Sequence, residues 1–258
     1  MKKIKFILPV IALTVSLAGF NLPSANAAEN EYQITDINML KEEIVKLNHI
    51  TDETPEKIEL RKEIMEDTNP LVLEEYNNIL VDDLKDFYSS NDNEEVELAT
   101  GHELPNSEAE VKVTAVDVEE FNSNISPMTR VKKSTGDHNY TVDHNIKATL
   151  YPDSHTVLVT NYKVKSTGLS LNYTSTAGTH AIFPTTITKS SRIIDGSATT
   201  VGSDINGLGE YNVTIGGYNG IGLLSFDMTI TSTVKWTSKS TGGQNVSQSY
   251  KVSGDKSQ

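Results

Sequence analysis

The sequence predicts an α+β protein, with a small N-terminal three-helix acidic region followed by a C-terminal all-β antiparallel sandwich. Three observations carry that prediction. Thr54-Pro55 and Asn69-Pro70 each place a capping side chain before a proline that fits the first helical position. From Leu224 to Trp236 apolar and polar residues alternate, broken only at Ser232, which is the period of a strand with one dry and one wet face. Charge also divides the chain. Residues 28–133 carry 27 acidic and 10 basic side chains, a net of −17, whereas residues 134–258 carry 8 and 9, a net of +1. Two halves so different predict two regions with different roles.

The first segment reads as an address. Lys2, Lys3 and Lys5 precede an apolar run from Phe6 to Phe20, and Ala25-Asn26-Ala27 supplies the small residues of a signal-peptide cut before Ala28. The run holds Pro9, Thr14 and Ser16 and falls short of the roughly 20 apolar residues of a membrane span. There is no cysteine, which excludes disulfides, thiol catalysis and attachment through a lipoprotein cysteine. The expectation is a secreted, extracellular bacterial protein with residues 1–27 removed and no permanent membrane anchor. Apolar content of 36% against 22% charged suits a folded domain.

The acidic helical region spans 28–90. Ile34, Ile37, Leu40, Ile44 and Leu47 recur at spacings of three and four and predict an amphipathic helix. The helix after Thr54 carries Ile58, Arg61, Ile64 and Met65. The one after Asn69 runs to about Tyr88, with Leu73, Tyr76, Ile79 or Leu80, Leu84 and Phe87 on one side. Three such helices make a small core, so the region needs the β half to dock on. Its acidity excludes nucleic acid and anionic membrane as partners, both of which require basic surface.

Residues 91–136 read as an acidic and polar linker with an isolated strand at Val111–Val118, where Val111, Val113 and Ala115 alternate with polar residues. Arg130, Lys132 and Lys133 close it in a stretch expected to be exposed, a candidate processing site for removing an acidic pro-region. From 137 to 258 the chain reads as strands. Tyr140, Val142, His144, Ile146, Ala148 and Leu150 share one face, and Pro152-Asp153-Ser154 predicts a turn into Thr156–Lys165. Leu169–Thr174, Ala181–Thr188, Arg192–Ile194 and Tyr211–Ile215 follow, punctuated by Asp195-Gly196, Asn206-Gly207 and Gly216-Gly217. Thr241-Gly242-Gly243 predicts a hairpin turn into Val246–Val252.

Sequence motifs assign no catalytic residue, cofactor or metal ligand. Asp137-His138-Asn139 and Asp143-His144-Asn145 repeat, yet six residues along a strand are about 20 Å, too far for one ion. His144, on the apolar face, reads as a core histidine, and His155 and His180 fall at a turn and at a strand start. HExxH and GxSxG are absent. The glycines from Gly202 to Gly222 match no nucleotide-binding spacing and read as turns and bulges.

The leading functional expectation is a non-enzymatic protein that binds an extracellular protein or a cell-surface ligand, covered by its acidic helices. One alternative is a toxin or antimicrobial effector made as a proprotein, in its pore-forming version inserting the Ser/Thr-alternating hairpin Gly222–Val252. The other is a polysaccharide-active hydrolase, which needs two carboxylates roughly 5 to 9.5 Å apart in a cleft. In the β half the candidates are Asp143, Asp153, Asp195, Asp204, Glu210 and Asp227.

Overall fold

Helix formation follows the caps in a computed structural model that describes residues 32–50, 54–90, 101–117, 131–181, 185–215 and 224–256. α1 (Ile37–Asn48) starts where the Asp36 carboxylate accepts from the amides of Asn38 and Met39, and it buries Leu40, Ile44 and Leu47. α2 (Pro55–Asp67) starts where Thr54 accepts from the Lys57 amide, and buries Arg61, Ile64 and Met65 while Ile58 stays exposed. α3 (Pro70–Ser90) begins with Asn69 accepting from the Leu71 amide. Ile34 lies before α1 rather than in it. It bridges to Thr68, tying the entry of α1 to the junction of α2 and α3.

Two sheets follow. β1 (His102–Leu104), β2 (Ala109–Asp117), β4 (Gly136–Ala148), β5 (Tyr151–Lys165), β6 (Gly168–Ser175) and β9 (Ser197–Ala198) lie side by side, with β7 (His180–Ala181) added to β5. The second sheet runs β3 (Val131–Ser134), β12 (Gly243–Lys256), β11 (Leu224–Ser240), β10 (Asp204–Ile215), β8 (Thr186–Asp195). All these pairings are antiparallel. The protein is thus α+β, with three helices among the described residues and a β-rich C-terminal part. No helix among those residues is long and apolar enough to cross a membrane.

β11 behaves as its alternation requires: Phe226, Met228, Ile230, Ser232, Val234 and Trp236 are all buried. Ser232, the polar exception, meets Thr160 of the other sheet in a hydroxyl–hydroxyl hydrogen bond, so its burial leaves no orphan oxygen. Beside it sits Gly207, where an added Cβ would come within 2.7 Å of Thr174 and 3.0 Å of both Ser232 and Thr160. That close approach explains a misreading. Asn206-Gly207 looks like a hairpin turn, but both residues lie inside β10, with a register shift against β8 between them.

Other differences have similar causes. The stretch 91–136 contains β1, β2 and β3, and β2 is an interior strand, in register with β4 from Ala109↔Ala148 to Asp117↔Tyr140. Its period-two pattern starts at Ala109, two residues earlier than the valines suggest. Pro152-Asp153-Ser154 is not the turn: the chain reverses at Thr149-Leu150, and Pro152-Asp153 form a bulge opposite Lys147. A bulge accommodates proline because it needs no ladder hydrogen bond there. The run Ala181–Thr188 is divided, its start pairing with β5 and its end opening β8 in the other sheet, where Arg192–Ile194 continues the same strand. Thr241-Gly242 does turn β11 into β12, with Gly242 at φ +76°. Gly216-Gly217, Gly220 and Gly222 lie outside the described residues.

Gly207→Ala is expected to lower stability by about 1–3 kcal/mol, and Gly196→Ala, whose Cβ would meet Ile193 at an ordinary 3.6 Å, by less than about 0.5 kcal/mol. Urea unfolding of both variants checks this.

Candidate functional site

Helix α3 joins the acidic half to the sheets. Near its middle the buried Asp83 carboxylate accepts four hydrogen bonds, from the amides of Asn106 and Ser107 at 3.0 and 2.8 Å and from the Asn106 amide side chain and Ser107 hydroxyl at 2.8 and 2.7 Å. Burial raises the Asp83 carboxyl, but these bonds outweigh it and hold the group below its ordinary carboxylate value. Tyr76 donates to the Ser107 carbonyl at 2.8 Å, and Tyr151 donates to the Asn77 side chain. At the helix end Tyr88 reaches both sheets. Its hydroxyl lies 3.2 Å from His144 Nε2 on β4, donates to Met228 Sδ on β11, and its ring covers Gly254 on β12, where a Cβ would sit 2.4 Å away.

His144 is therefore a core histidine. It is fully buried between Tyr88 and Thr156, whose hydroxyl is 3.3 Å from Nδ1. Burial lowers its pKa to about 4, with the charge of nearby His155 acting in the same direction.

Where α1, α2 and the ends of β1, β2, β4 and β5 meet, a cleft of about 580 Å³ opens. Its lining carries charges of both signs: Glu103, Glu108, Glu110 and Asp153 against Lys57, Arg61 and Lys147. Glu103 stands directly opposite Glu110, and Glu110 opposite Lys147, in one row across β1, β2 and β4. Lys147 in turn lies 3.9 Å from Asp153. Like charges set opposite each other cost stability, a local conflict of the kind folds retain at binding sites. Glu108 adds a second strained feature, a non-glycine residue at φ +52°. Its carboxylate accepts from Asn48 and its carbonyl from Thr149. Arg61 is buried and donates to the Thr149 carbonyl.

On the outward face of the seven-stranded sheet, next to Lys147, the register sets Lys112, Asn145, His155 and His180 side by side on β2, β4, β5 and β7. His155 Nδ1 is 3.0 Å from Asp143, and the rings of His155 and His180 stack with centroids 4.6 Å apart. Among the described residues no group of three or more His, Asp or Glu side chains is arranged to hold a metal ion.

The residues singled out from sequence are dispersed. Ala25, Ala27, Ala28 and Arg130 lie outside the described residues. Lys132 and Lys133 are on β3, paired with Asn245 and Gln244 of β12, and Lys133 is buried, because the edge of β12 draws this segment into the sheet. These two lysines therefore lie in a strand and not in an unstructured stretch, and Lys132 stays exposed. Of the six β-half carboxylates, only Asp153 lines the cleft. Asp143 faces His155, Glu210 pairs with Arg192, Asp204 and Asp227 accept from Asn206 and Asn212, and Asp195 accepts from the Ser197 amide. Glu103, Glu108 and Glu110 are hidden by the linker-like composition around them. The signal that finds them is the alternation of Ala109, Val111, Val113 and Ala115, which puts Glu110 on the opposite, outward face.

No family model matches this chain, and neither does a curated protein or a solved structure.

Two outcomes follow from this geometry. Asp83→Ala leaves four donors without their acceptor and is expected to cost about 3 kcal/mol, read by urea unfolding at pH 7. For His144 the unfolded pKa is about 6.5 and the folded one about 4. Between those values the unfolded chain holds the extra proton, so stability falls as pH drops from about 6.5 to about 4, by about 3 kcal/mol. Comparing unfolding free energies at pH 7 and pH 4.5 for wild type and His144→Gln checks this; the variant should lose that part of the slope.

Proposed function

We propose that this chain is a secreted bacterial protein that binds an extracellular protein or a cell-surface ligand without chemical turnover. In this reading the two sheets, β1 to β3 included, form a β-sandwich, the acidic helices of 28–90 cover it, and export follows the leader pattern that ends at Ala27. The cleft carries the reading. Its opposed charges, set on strands and on α2 except for Glu108 in the β1–β2 turn, suit a polar ligand held by several hydrogen bonds and ion pairs, such as a peptide or an oligosaccharide. Nucleic acid is not a partner in this reading, because four carboxylates around the cleft would repel phosphates.

Binding of the mature protein, beginning at Ala28, to peptide and glycan arrays tests this. Lys147→Gln should weaken the signal while unfolding stays within about 0.5 kcal/mol, as for an exposed side chain. Hydrolysis of a bound glycan, lost in Glu103→Gln or Glu110→Gln, would overturn the reading in favour of a hydrolase.

A second reading, an effector made as a proprotein, requires Tyr88 and β2 to leave the β half. A pore-forming hairpin of β11 and β12 would have to free the face that carries Phe226, Met228 and Trp236, and Tyr88 lies against Met228. A cut between Asp117 and Val131 would not release the acidic region, since β2 stays laddered to β4 and Tyr88 stays between the sheets. Trypsin-nicked protein is expected to elute as one species in size-exclusion chromatography and to separate only in denaturant. If the nicked halves part spontaneously at neutral pH, the cover is not held by these contacts.

A further inference from the structure

We propose that His155 and His180 form a binding site for a divalent transition-metal ion of the zinc and copper class, with Asp143 orienting His155. The two residues are register partners on β5 and β7, so the backbone holds them side by side on the outward face of the sheet. Their rings stack at 4.6 Å with only 14° between planes. Each ring has its Nδ1 engaged by an oxygen: His155 by Asp143 at 3.0 and 3.2 Å, and His180 by the Gly178 carbonyl at 2.8 Å. An Nδ1–H that donates to a carboxylate or a backbone carbonyl fixes the tautomer and leaves the Nε2 lone pair available. Metal-binding histidines use that second contact to set ring orientation and basicity. Here one ring uses the carboxylate form and its neighbour the carbonyl form.

A further observation points to positive charge at this place. Asn145 lies directly across from His155 and is nine-tenths buried, and its Oδ1 has no hydrogen-bond partner among the described residues. A buried carbonyl oxygen without a donor is costly, and a nearby cation offsets that cost. Access is open, because His180 is exposed and His155 is partly so. With the ring centroids 4.6 Å apart, a small tilt of the two rings is the movement that one ion shared by both Nε2 atoms requires, each Nδ1 keeping its oxygen. Imidazole nitrogen selects zinc, copper or nickel over the oxygen-seeking calcium and magnesium. Two protein nitrogens leave the remaining positions to water or to a partner's side chain, so binding in the micromolar range is expected rather than the tight grip of a closed four-ligand site.

Titration calorimetry of the mature chain with zinc chloride at pH 7.5 tests the site. The expected result is one equivalent bound with micromolar affinity, weakened at least about tenfold in His155→Ala and in His180→Ala, and by about tenfold in Asp143→Asn. All three positions are on the outward face, and unchanged urea midpoints establish that the variants are folded. With copper(II) in place of zinc, electron paramagnetic resonance should show coupling to two nitrogens in the wild type. Absence of micromolar binding, or affinity that survives either histidine substitution, overturns the proposal. Survival in both would place the metal on other histidines of the chain.

Discussion

The structure depends on covering one face of β11. That strand is 17 residues long and alternates so strictly that half of it must be dry. No single element supplies the cover. Neighbouring strands β10 and β12 complete the backbone ladder, Thr160 of the other sheet meets Ser232 midway along, and Tyr88 of α3 closes over Met228 toward one end. At the Ser232–Thr160 contact the neighbouring residues are small, Gly207 and Thr174. Tyr162 accepts from Gln248, and Tyr211 donates to the Val157 carbonyl, so both of these buried rings bring their polar ends to a partner.

Because α3 provides part of that cover, the acidic half is not an appendage. β2 is an interior strand of the seven-stranded sheet, and the turn between β1 and β2 is hung from Asp83. The connection is polar as well as apolar: Asp83, Tyr76, Tyr88 and Tyr151 all make hydrogen bonds across it. A polar junction of this kind is specific and sensitive to protonation, since buried groups such as His144 are held in their neutral form by the surrounding apolar contacts. The mixed-charge cleft sits beside the same junction, so a ligand in the cleft would touch helices and sheet at once.

Helices were legible because their signals are local. A threonine or asparagine before a proline fixes a start within one residue, and the three-and-four spacing of Leu40, Ile44 and Leu47 names the buried face. The strands with one wet face, β4, β11 and β12, were legible for the same reason. Short or irregular strands were not. β1 has three residues, too few for a period, and its partner β2 begins among glutamates that read as linker composition. Asn206-Gly207 has the chemistry of a turn, and only the approach of Thr160 and Thr174 from the other sheet shows why glycine is needed in mid-strand.

The sequence by itself determined the order of the three helices and of the long strands, the dry face of each of those strands, the internal position of His144, and the separation of charge between the halves. These follow from periodicity, caps and composition, which act over a few residues. Tertiary structure alone decided that Glu103, Glu110, Lys147 and Asp153 share a cleft with Arg61, and that His155 stacks on His180 beside Asp143. Both clusters are products of strand register. Register is set by packing between distant segments, and a shift of one residue would turn each of these side chains to the opposite face.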